Sequence, residues 1–233
     1  LAIDGPLRGE PSGFTPRGGE LRELVERRVS ELTAYQGLGY ARRYAETLCR
    51  VHAAEQERAP GHTELTEAVA RELFKLMAYK DEYEVARLHL DAVERAKVRA
   101  EFGDDVKVWF NLHPPLLRAL GLKRKLKLGR WFLPAFRALR AMRRLRGTRL
   151  DPFGYAKVRR TERALIGEYD AIVAEALTLL TPETHATAVE LCELPDVVRG
   201  YEEIKLRNIV LFRKRSEALR KRLRAGKPAP VLP

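Results

Sequence analysis

Apolar residues recur at steps of three and four along most of the chain, and wherever that rhythm holds a helix is predicted. Leu21, Leu24, Val25, Val29 and Leu32 set a helix from Glu20 to Gln36. "GLG" at 37–39 permits a corner, and a second helix follows from Tyr40 to about Arg58. "APGHT" stops it, and Thr63 can cap a third helix running to about Glu101 with a kink or break near Tyr79. The period then falls to two. Val106, Val108, Phe110 and Leu112 alternate with Lys107, Trp109 and Asn111, which predicts a strand over 106–112. "KRKLKLG" at 123–129 is a weaker alternating partner.

Helical spacing returns at Trp131, with Phe132, Ala135, Phe136, Leu139 and Met142 on an inner face and Arg130, Arg137, Arg140 and Arg144 opposite. "RGTRLDPFGY" reads as an ordered loop before a long helix from about Ala156 to Leu180. "TPET" starts the next helix, with Thr181 as cap, Pro182 at the first helical position and Glu183 near the positive end. After Pro195 a final helix is predicted from about Asp196 to Arg224. Residues 1–19 read as a Gly/Pro-rich linker or tail, and 226–233 as a flexible tail. The expected fold is mainly α: a single multi-helix domain over 20–225 with a small β-hairpin or ribbon insertion near 106–129.

One stretch breaks the rhythm. In "ELFKLMAYKDEYEVARLHL", 72–90, the face that starts with Leu73, Leu76 and Met77 continues to Lys80, Glu84 and Arg87. Spacings of four and three let these charges form one ion network. We expect partial burial at a domain or partner junction; the alternative is a break near Tyr79 that resets the helical phase and leaves the charges in water. The difference matters, because breaking a buried network costs about 3–5 kcal/mol and an exposed pair is worth about 0–1 kcal/mol.

Charge adds a second asymmetry. The 233 residues carry a net +12, yet residues 117–233 hold 27 Lys and Arg against 12 Asp and Glu, and the first half is slightly acidic. Between Arg118 and Arg160 the only acid is Asp151. Such a block attracts an anionic ligand or an acidic protein. Nucleic acid is the weaker expectation: Trp131, Phe132 and Phe136 share the apolar side of their helix and read as core, and no nucleic-acid-binding module is legible.

Chemistry-bearing motifs are scarce. Cys49 and His52 have ligand-like spacing, but His185 and Cys192 are too far apart to make a second clustered pair, so a core thiol and a neighbouring imidazole are the ordinary reading. Two cysteines do not suffice for an iron–sulfur cluster. "GLGYAR" lacks the third glycine and preceding strand of a dinucleotide fingerprint. Neither a phosphate-binding GxxxxGK[ST] loop nor a GxSxG elbow occurs. We therefore expect no catalytic residue, cofactor or metal in this chain. No apolar run reaches the length of a membrane span, few cysteines fit a reducing cytoplasm, and Leu1 reads as a processed, trimmed or excised beginning.

The runs "LFKLMAYKDEYEVARL", "RLRGTRLDPFGY" followed by "RRTERALIGEY", and "LPDVVRGYEEIKLRNI" stand in that order, after "LTAYQGLGYARRY". Together, over about Leu21 to Arg222, they resemble the C-terminal helical domain of fused-chain indolepyruvate ferredoxin oxidoreductases. Those enzymes oxidatively decarboxylate aryl 2-oxoacids to acyl-coenzyme A with thiamine diphosphate and iron–sulfur clusters, and reduce ferredoxin. The resemblance implies that those groups sit in upstream domains: "FGDD" at 102–105 is a poor match to the thiamine diphosphate signature, and the cluster cysteines are missing. It implies membership of the enzyme without its active site. Expected partners are the remaining oxidoreductase domains, ferredoxin or coenzyme A on the basic surface, and a second copy of the chain. The alternative is a stand-alone basic protein that binds nucleic acid or another polyanion.

Overall fold

A computed structural model describes residues 19–103, 109–112, 126–200 and 202–226. The fold is mainly α, as the periodicity predicts. The chain divides into two compact units, one from residues 1–78 and 161–233, the other from Tyr79–Arg160.

In the first unit, α1 (Gly19–Tyr35), α2 (Leu38–Arg58) and α3 (Glu64–Met77) pack on one another. Their inner faces carry the predicted spacing: Leu21, Val25 and Leu32 on α1, Tyr44, Leu48 and Val51 on α2, and Leu65, Val69, Leu73 and Met77 on α3 are all buried. Buried tyrosines fasten helix to helix through backbone oxygens. The Tyr44 hydroxyl donates to Ala70 O at 2.8 Å, and Tyr169 donates to Cys192 O at 2.7 Å. Such bonds let a large apolar ring occupy the core without orphaning its polar end.

The same unit contains all but the first turn of α7 (Lys157–Thr178), then α8 (His185–Glu193), a 3₁₀ turn at Leu194–Val197, and α9 (Glu202–Arg224). α8 packs on α3 and on α9. Acids on α7 answer bases on α9 in register: Glu162 with Lys205 at 2.5 Å, Glu168 with Arg213 at 2.6 Å, and Glu175 with Arg220 at 2.5 Å and Arg224 at 2.6 Å. The partners advance together along both helices, so α7 and α9 run in the same direction. Two helix starts differ from expectation. "TPET" forms a turn in which the Thr184 hydroxyl accepts from Thr181 N at 2.8 Å, and the helix begins only at His185. The last helix begins at Glu202 because Gly200, at φ +94°, turns the chain; a Cβ there would lie 2.7 Å from Ile204 Cγ2.

The second unit contains α4 (Glu82–His89), α5 (Ala92–Phe102), an antiparallel ribbon and α6 (Leu133–Met142), flanked by 3₁₀ turns at Arg130–Phe132 and Arg143–Leu145. In the ribbon, β1 (Phe110–Leu112) pairs with β2 (Leu126–Leu128), Phe110 opposite Leu128. The rest of the two predicted strands, 106–108 and 123–125, lies outside the described residues. α4 packs on α6 around Ala86, Leu90 and Phe136, with Phe132, Leu133 and Leu139 against them.

The helix predicted to run to Glu101 breaks near Tyr79, as expected, and again between His89 and Ala92, giving three helices. α3 stops at Met77, and Asp81 caps a new helix by accepting from Glu84 N at 2.8 Å. Asp81 is itself held by Arg146, through contacts of 2.5 and 2.8 Å, and both side chains are almost wholly buried. Asp151 organises the following loop: its carboxylate accepts from Tyr83 Oη at 2.9 Å and from Gly147 N and Gly154 N at 2.9 and 3.0 Å. The quoted segments "YKDEYE" and "RGTRLDPFGY" therefore meet.

A charge removed from water and left without its partner is the costliest single change available in this unit. Arg146→Ala is expected to lower the unfolding free energy by about 3–5 kcal/mol, and Lys80→Ala by no more than about 0.5 kcal/mol. Urea unfolding measures both, and equal midpoints would refute the burial of the pair. Asp196 tests the first unit. Hydrogen bonds from Arg199 and Lys75 draw its carboxyl down to about 2. A lowered folded-state value contributes stability above the ordinary carboxylate range and loses it as pH falls toward 2. Asp196 and Arg199 are largely exposed and Lys75 is a third exposed, so Asp196→Asn should cost only about 1–3 °C in Tm at pH 7. That gap should narrow only below about pH 4; a constant gap across the acid limb would contradict the pairing.

Candidate docking surface

The four arginines singled out by spacing are all exposed. Arg130 lies in the 3₁₀ turn before α6, Arg137 and Arg140 on α6, and Arg144 in the turn after it. Arg137 and Arg140, three apart on α6, share one side of that helix, away from the cluster that buries Phe136. Among the described residues, none of the four is in an ion pair, whereas the arginines of α9 at 213, 220, 222 and 224 all are.

Four acids of the second unit are engaged elsewhere. Asp81 is taken by Arg146, Glu82 by Arg159 at 3.4 Å, Glu84 by Arg87 and Asp151 by backbone amides and Tyr83. Those pairings engage four of the unit's nine Asp and Glu residues. Arg143, between Arg140 and Arg144, shows the local field: burial first, then the neighbouring guanidiniums of Arg140, Arg144, Arg146 and Arg87, pull its proton affinity below the ordinary value.

The ion network over Lys80, Glu84 and Arg87 is found in part. Glu84 and Arg87 form a two-pronged contact at 2.6 and 2.8 Å, with Glu84 buried and Arg87 half-buried. Lys80 is exposed, because the break before Asp81 takes it off the α4 face. Sequence reasoning missed Arg146, whose pairing with Asp81 spans 65 residues and has no local signature.

Trp131 is a correction to the predicted core. It is 70% exposed and meets Phe132 edge to face, with ring centres 5.6 Å apart. It sits in the 3₁₀ turn, whose three-residue period takes it off the inner face of α6. Trp109 is 54% exposed, and the two indoles flank Gly129: a Cβ there would lie 3.2 Å from Trp131 Cδ1 and 3.5 Å from Trp109 Cζ3.

Cys49 is half-buried on α2, and Cys192 is fully buried on α8, where burial pushes its thiol up to about 12. Neither condition favours a thiolate ligand. His185 lies instead against Glu55, at 2.8 Å, and His62.

Residues 21–218 match a family of unknown function, DUF6537. The chain belongs to that family. No curated protein and no solved structure matches it. Among the described residues of this DUF6537 chain, no helix is long and apolar enough to cross a membrane.

Proposed function

We propose that this DUF6537 chain is a non-catalytic helical domain of an aryl 2-oxoacid ferredoxin oxidoreductase, and that its Arg130–Arg137–Arg140–Arg144 stripe docks an anionic partner. The observation that carries this reading is the stripe's lack of acid partners beside a set of acids already engaged. Ferredoxin, an acidic electron carrier in the enzymes the sequence resembles, is the partner best suited to a row of exposed guanidiniums; the phosphates of coenzyme A have the same charge in a smaller package. The motifs "LFKLMAYKDEYEVARL", "RLRGTRLDPFGY" and "LPDVVRGYEEIKLRNI" support the affiliation. In this role the domain contributes shape and positive potential, while thiamine diphosphate and iron–sulfur clusters belong to other domains of the enzyme.

Exposed charges at the rim of a contact act chiefly on encounter rate and its salt dependence. In the complete oxidoreductase, reversing Arg137, Arg140 and Arg144 to Glu should raise the KM for ferredoxin by about tenfold and flatten its dependence on ionic strength. Turnover with an uncharged dye as acceptor should stay unchanged. An unaltered ferredoxin KM with an unaltered salt response eliminates ferredoxin docking on this stripe.

The exposed Trp109 and Trp131 beside Arg130 favour a second reading, a platform that stacks bases and holds phosphates. Retention of random single-stranded nucleic acid that weakens steeply with salt, and is lost in Trp131→Ala, would support it. Absence of binding at low salt disposes of it.

A further inference from the structure

We propose that His62, Glu64 and His185 form a binding site for a divalent cation of the zinc class, with Glu55 orienting His185. Among the described residues, these three are the only group of His, Cys, Asp or Glu whose donor atoms converge, all lying within 4.8 Å of one another. All belong to the first unit.

Local structure places each donor. α2 ends at Arg58, and Gly61, at φ +89°, turns the chain so that His62 and Glu64 stand side by side at the start of α3. The Gln56 amide fixes the turn by donating to His62 O at 2.7 Å. His62 Nδ1 and Glu64 Oε2 are 3.2 Å apart, close to the roughly 3.3 Å edge of a tetrahedron with metal–ligand bonds near 2.0–2.1 Å. His185 opens α8 and brings its ring to 4.4 Å from that of His62, centre to centre.

Glu55 gives this cluster its character. The side chain is fully buried and accepts from Leu65 N at 2.8 Å, Thr66 N at 2.9 Å and Thr66 Oγ1 at 2.5 Å. It also meets His185 Nε2 at 2.8 Å. A carboxylate accepting from Nε2–H fixes the imidazole tautomer whose Nδ1 lone pair is free to ligate, the outer-shell arrangement typical of metal-binding histidines. Two helix N-termini face the site, each with roughly half a positive charge. Two carboxyl groups, those of Glu55 and Glu64, stand against them.

Two imidazoles and one carboxylate suit zinc and its neighbours over calcium or magnesium, and leave a fourth position for water. The ion would tie the α2–α3 turn to the start of α8, elements brought together from opposite ends of the chain.

The test is zinc titration of the untagged full chain by calorimetry, with cobalt absorption as a second readout of tetrahedral coordination. One equivalent should bind, and His62→Ala and Glu64→Gln, both at exposed positions, should each weaken binding by about tenfold or more. Cys49→Ser should bind like the parent. Circular dichroism establishes that each variant is folded. No binding, binding indifferent to both His62→Ala and Glu64→Gln, or binding lost in Cys49→Ser would overturn the site.

Discussion

A carboxylate withdrawn from water must be met by donors, and this requirement organises both units. Glu55, Asp81, Asp151 and Glu162 are all buried, and each is answered. Asp81 and Glu55 do so at helix starts, where free backbone amides and a positive dipole end await an acceptor. Asp81 begins α4 and Glu55 reaches across to begin α3, so the helix boundaries are set by acids as much as by apolar rhythm. Each acid also recruits a distant partner, Arg146 for Asp81 and His185 for Glu55. Local capping and long-range closure are thus one interaction seen from two sides.

What the sequence made legible follows from this. Three- and four-residue spacing located the helices because burial of Leu, Val and Tyr decides their faces, and α1, α2 and α7 lie within two residues of expectation. Breaks were harder. A break near Tyr79 was expected, but not that Arg146 holds Asp81 there, since periodicity over a short window carries no information about a residue 65 positions away. "TPET" has every local mark of a helix start, yet the Thr181–Thr184 hydroxyl exchange prefers a turn and delays the helix to His185. Trp131 was assigned inward by extending an α period through a 3₁₀ turn.

The same limits apply to the sites. The exposed arginines were legible because they cluster within one short run of sequence, on α6 and the turns at its ends. The convergence of His62, Glu64 and His185 was not, since the sequence offered Cys49 and His52 as the obvious ligand pair and gave no reason to join His62 to a residue on α8. A signal did exist in "APGHTE": a glycine turn placing a histidine and a glutamate two apart at a helix start. Spacing alone could not supply the third donor.

Net charge is a poor guide to local field. The basic second half includes α9, whose Lys205, Arg213, Arg220 and Arg224 are matched in register by Glu162, Glu168 and Glu175 on α7. Parallel helices with acids on one and bases on the other cancel at short range, so that part of the surplus exerts little pull beyond a screening length of about 10 Å. On α6 the accounting differs. Its neighbour α4 has Glu82 and Glu84 paired with Arg159 and Arg87, and among the described residues no acid pairs with Arg137 or Arg140. Residues 79–160 hold 21 Lys and Arg against 9 Asp and Glu, so the whole net charge of +12 belongs to the second unit.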